Sequence, residues 1–201
     1  MNPLMTIKGT LIVGFILSMA VAFGMGAGVT GLKAAMMTWI HVMAGVVWIG
    51  LLYYFNFVQV PGVGKAVAEA NDGGPGPAAI NKYLAPTALL WFRMAAAVTF
   101  ITGLSALVTI GGGMQGIVDA FTFSNGMHII GMGAWLGTIM LFNVWVLIWP
   151  NQKKILGLDG KEHSAETIAG AKKVALLASR INTALSLPML LCMVGYAHAL
   201  A

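Results

Sequence analysis

Charge is what this sequence has least of: only 8% of its 201 residues are Asp, Glu, Lys or Arg, against roughly 25% in an ordinary soluble domain. A chain that is 59% hydrophobic with so few charges cannot cover itself with water-compatible surface, and it calls for a lipid solvent. Cysteine is almost absent. Cys192 stands alone within an apolar segment, so no internal disulfide can form and the side chain reads as packing. No CxxCH fixes a covalent haem, no HExxH fixes a metal, and the Gly/Pro stretch around Gly73 to Pro77 has no phosphate-binding pattern. The six acids, Glu69, Asp72, Asp119, Asp159, Glu162 and Glu166, all fall between the apolar runs, which argues against carboxylate acid/base chemistry inside a bundle.

Five apolar runs remain, each long enough to cross about 30 Å of hydrocarbon as a helix. They cover 7–29, 34–60, 86–110, 126–149 and 174–200, and they predict an all-α integral membrane protein, a single domain over 1–201. The first is too long for the apolar core of a signal peptide and is expected to be retained. Between the runs the reading places a short turn, a Gly/Pro-rich loop at 61–85, a Gly-rich connection at 111–125 and a polar loop at 150–173.

The net charge of +5 reads as topology, not as a nucleic-acid footprint. With the N-terminus inside and the C-terminus outside, ten of the eleven Lys and Arg residues lie in or near inner segments, and Lys33 alone lies outside. The chain is therefore expected to be a multi-pass membrane protein. Small residues such as Gly131, Gly133, Ala134 and Gly137 permit close helix approach and suggest association into a homo-oligomer or larger complex.

That orientation gathers three of the four histidines in the outer half. His41 lies about 10 Å into the second span, His128 at the mouth of the fourth and His198 near the end of the fifth, whereas His163 falls in the inner loop. Imidazole in a bilayer needs a partner, and histidines from two helices can clamp a non-covalent haem b between them. His41 and His128 are the expected axial ligands, with His198 as substitute; interhelical hydrogen bonding is the competing role. Gly45 and Gly131 would leave room for a porphyrin face, and Trp48 and Trp135, deeper than interfacial tryptophans, would pack on a neighbour or a flat cofactor. Met36, Met37, Met43, Met127 and Met193 share the outer half and would suit Cu(I), but methionine is also common filler, so copper is the lesser reading. In the inner half, Arg93 and Arg180 could hold an acidic ligand or a haem propionate, or else snorkel beside Asn56, Gln59, Asn143 and Asn182.

Four ordered blocks carry a family resemblance. His41 through Gly50, Trp91-Phe92-Arg93, Gly137 through Lys154, and Arg180-Ile181-Asn182-Thr183 with Leu187-Pro188 and His198 resemble the membrane domain of bacterial membrane-bound urate oxidase, also called urate hydroxylase. The resemblance implies an oxidoreductase whose membrane domain is commonly followed by a cytochrome c domain feeding a respiratory chain. Because this chain ends at Ala201 without a CxxCH, the expectation is that a separate periplasmic cytochrome c, or another membrane redox subunit, takes that place. Three functions follow: a haem-binding redox protein passing electrons to an outer-face acceptor, a urate-oxidising enzyme served by a separate cytochrome, or a cofactor-free structural subunit.

Overall fold

The computed structural model describes residues 2–26 and 28–198, and among the described residues every regular element is helical. Five helical rods are long and apolar enough to span a membrane. The first is α1 (Ile7–Gly24), capped by the Thr6 hydroxyl, which accepts from the Gly9 N–H at 3.1 Å. Three of the others are composite: α2 (Val29–Tyr54) runs on into α3 (Val60–Glu69), α4 (Ala85–Ile110) is preceded by one turn of π-helix, and α6 (His128–Phe142) runs on into α7 (Trp149–Ile155), whereas α8 (Ala165–His198) is unbroken. A short helix, α5 (Gln115–Thr122), joins α4 to α6.

Except for α1, which is shorter than its run at 7–29, these rods are longer than the apolar runs that predict them. The loop expected at 61–85 is largely helix, reduced to 73–77, and the polar loop expected at 150–173 is reduced to 156–164. The reason lies in the prolines. Three π turns, Phe55–Gln59, Ile80–Leu84 and Asn143–Ile148, each stop just short of a proline: Pro61, Pro86 and Pro150. A proline inside an α-helix lacks its N–H and its ring meets the carbonyl four residues back. One extra residue in the preceding turn moves that carbonyl aside, so the helix widens locally and continues. The expected end of the fifth span at Leu200 lies outside the described residues.

Four rods form the bundle. α2 packs along α4 and α6 along α8, with narrower contacts between α4 and α6 and between α2 and α8, so α2 and α6 occupy opposite corners. One seam of α2, His41, Gly45, Trp48, Leu52 and Phe55, recurs at helical spacing; its lower members meet Leu89, Phe92, Ala95 and Ala96 of α4 in the main core. α1 contributes no buried residue. It touches the bundle through Phe15, whose ring lies 6.1 Å from that of Trp39, and through Leu11.

Apolar side chains alone do not hold α8. Ser179, Asn182 and Ser186 form a polar stripe along it, the last two with no exposed surface. Asn143 Nδ2 donates to Asn182 Oδ1 at 2.8 Å, and Asn182 Nδ2 donates to the Met140 carbonyl at 2.9 Å, beside the switch from α to π geometry in the α6–α7 rod. Asn56 Nδ2 reaches Ser179 Oγ at 2.8 Å, and the Tyr53 and Ser186 hydroxyls pair at 2.9 Å. In hydrocarbon each of these groups would otherwise be costly, so they tie α2, α6 and α8 in register.

Candidate functional site

His41 belongs to the α2 seam that faces α4. Its Nδ1 lies 2.8 Å from the backbone oxygen of Thr99. A carbonyl can only accept, so Nδ1 carries the proton and, in the neutral ring, Nε2 is left with its lone pair. This is the arrangement that a metal-binding imidazole uses to fix its tautomer, and it also satisfies a histidine that simply packs. The ring lies flush against Gly103: a methyl group there would sit 2.9 Å from Cε1, so the close approach requires glycine. Thr99 and Gly103 carry no recognisable motif, and sequence reasoning had no signal for them.

His128 is the first residue of α6 and His198 the last of α8; both are exposed. All three histidines lie towards the same end of the bundle. His41 abuts Gly103, while Met127 and Ile130, which flank His128, cluster with Leu107, one turn or about 6 Å further along α4. Tyr196, two residues before His198, packs against the same cluster. The three share one end of the bundle on different helices, and among the described residues no three His, Cys, Asp or Glu side chains converge as a metal site. His163 is elsewhere, its Nε2 2.7 Å from Asp159 Oδ2 in the 156–164 loop.

The space expected around this site is partly used by the protein itself. At Gly131 a side chain would run into the Ala120 carbonyl of α5, so that glycine serves helix packing. Trp135 donates its Nε1–H to the Phe121 carbonyl at 3.0 Å and stacks edge-on to the Phe121 ring, fastening α5 to α6. Trp48 behaves differently. It is 2% exposed, and its Nε1–H finds no acceptor among the described residues. It lies seven residues from His41 on the same seam, about 10 Å along the axis, so a buried donor without a partner sits below the imidazole.

The two arginines separate. Arg180 lies off the polar stripe of α8 and is exposed. Arg93 is half-buried, with its guanidinium carbon 3.7 Å from the centre of the Trp149 ring. It stands six residues from Thr99, about 9 Å along α4 and 120° around it, and therefore faces the α7 side of the bundle, away from the His41 contact.

Against known families, residues 114–201 match the model described as urate oxidase N-terminal, which covers α5 to α8. This stretch is similar to the urate oxidase N-terminal family, in agreement with the resemblance seen in the later sequence blocks; the His41 and Trp91 blocks lie outside the matched residues. No curated protein and no solved structure matches the chain.

Proposed function

We propose that this urate oxidase-related membrane protein is a haem-binding redox subunit that passes electrons towards an acceptor at the end of the bundle holding His41, His128 and His198. The observation that carries the reading is His41: its Nδ1–H is committed to Thr99, and its Nε2 is available to a ligand. Haem bound there would supply reversible one-electron chemistry. The chain's own residues do the rest. Thr99 fixes the imidazole tautomer, Gly103 admits the ring, and Trp48 offers a buried N–H to a polar edge of the bound group. His128 is the proposed second axial ligand, with His198 as its substitute; their exposed positions leave both free to turn towards a cofactor edge. The acceptor, on the topology argued from the basic residues, is a periplasmic cytochrome c or a second redox subunit.

Purified full-length protein should show a Soret band and a reducible alpha band of low-spin type. His41→Ala should abolish or convert that spectrum, and His163→Ala should leave it intact. Wild-type haem content and spectrum in both H41A and H128A would refute the ligand assignment, and a colourless protein from haem-replete cells would favour a cofactor-free structural subunit. The family match favours one further reading, a urate-oxidising enzyme that uses a separate cytochrome. Urate-dependent reduction of the haem would select it.

A further inference from the structure

Two cations converge on one indole where α7 begins. The Arg93 guanidinium stacks 3.7 Å from the Trp149 ring centre, and Lys153 Nζ lies 5.7 Å from the same centre. Neither has a carboxylate partner; the only ion pair among the described residues is His163 with Asp159. Held against one ring, the two like charges repel, an anion bound beside them relieves that repulsion, and the indole face answers only part of each charge. The stack also constrains Arg93 usefully: with its face on Trp149, its N–H edge remains for a planar or tetrahedral oxyanion. Trp149 itself follows the π turn Asn143–Ile148, and Lys154, Lys161, Lys172 and Lys173 share this end of the bundle.

We propose that Arg93, Trp149 and Lys153 form a seat for the phosphate group of an acidic phospholipid. The chemistry recognised is a phosphate oxyanion, and a lipid is the source that fits a site on the bundle wall at headgroup depth, served by two cations and an amphipathic ring. Arg93 thereby gains the counter-charge that no carboxylate of the described chain provides. The seat is separate from the His41 site by its position around α4, so it stands whether or not haem binds.

The test uses the full chain in mild detergent, stripped of lipid and then titrated with phosphatidylglycerol, with phosphatidylcholine of the same acyl chains, or with inorganic phosphate. Native mass spectrometry should count one phosphatidylglycerol retained per chain, and melting should shift upwards with that lipid alone. Arg93→Gln should weaken retention by about tenfold or more, the loss of a charge-assisted contact. Arg93→Lys keeps the charge but lacks the planar stack and should fall between the two, which covers the case in which R93Q does not fold. Lys161→Gln, on the same end but away from Trp149, should behave as wild type. Equal retention of both lipids, an unchanged R93K, or an equal loss in K161Q would overturn the seat. A shift as large with inorganic phosphate as with phosphatidylglycerol would overturn the lipid as its source.

Discussion

Truncating Asn182 to alanine removes two hydrogen bonds at once, the acceptor of Asn143 Nδ2 and the donor to the Met140 carbonyl. Both partners stay buried, because Asn143 is 7% exposed and Met140 is fully enclosed. Hydrogen bonds between membrane helices average about 0.6 kcal/mol and reach about 1.7, since the unfolded chain in the membrane also finds partners. Two such bonds put the cost of Asn182→Ala at roughly 1–3 kcal/mol. Asn143→Ala removes only one and should cost about half as much. The shared bond should then appear in the double variant as a coupling of about 0.6–1.7 kcal/mol, above the ~0.3–0.5 kcal/mol scatter of independent sites. Equilibrium unfolding in mixed micelles, driven by a denaturing detergent and followed by helix content, measures all four corners of the cycle. Full additivity would mean that the two amides do not act on each other, and the register argument for α6 and α8 would fail with it.

Four further outcomes follow from the same geometry. Gly131→Ala should destabilise the α5–α6 corner by about 1–3 kcal/mol through overlap with the Ala120 carbonyl, whereas Gly137→Ala, with open space around it, should be close to neutral; thermal melts of the two variants check this. Trp48→Phe removes a buried N–H that has no partner among the described residues, so stability should change by less than about 1 kcal/mol while haem retention falls; unchanged retention would remove Trp48 from the proposed site. Hydrogen bonds from Gln115, then Asn125 and Ser124, hold the Asp119 carboxyl below its usual range, so its contribution is complete above the ordinary carboxylate value and is lost as pH falls through the lowered folded value. Hydrogen exchange across 115–126 should therefore quicken in acid, and Asp119→Asn should flatten that dependence. Finally, a membrane-impermeant label should reach a cysteine placed at Gln115 from the outer face but not one at Lys161, since the two lie at opposite ends of the bundle; the reverse pattern would invert the topology.

Composition and run length were enough to determine a helical membrane protein with five spans, because burial in lipid demands long apolar helices and little else. The depth of the histidines was legible for the same reason: rise per residue converts position into level, and His41, His128 and His198 fall towards one end. The helix ends were not legible, since Pro61, Pro86 and Pro150 read as breaks by local rules, while a π turn before each lets the rod continue. Nor could spacing reveal which wall each side chain faces. Pairing α2 with α4 is what turned His41 onto the Thr99 carbonyl and Gly103 and left the Trp48 N–H unanswered, and packing α4 beside the α6–α7 rod set Arg93 on Trp149. Those contacts join residues 56 to 62 positions apart, and in a bundle with small residues on many faces several rotations of each helix bury similar area; only the packed tertiary structure chooses among them.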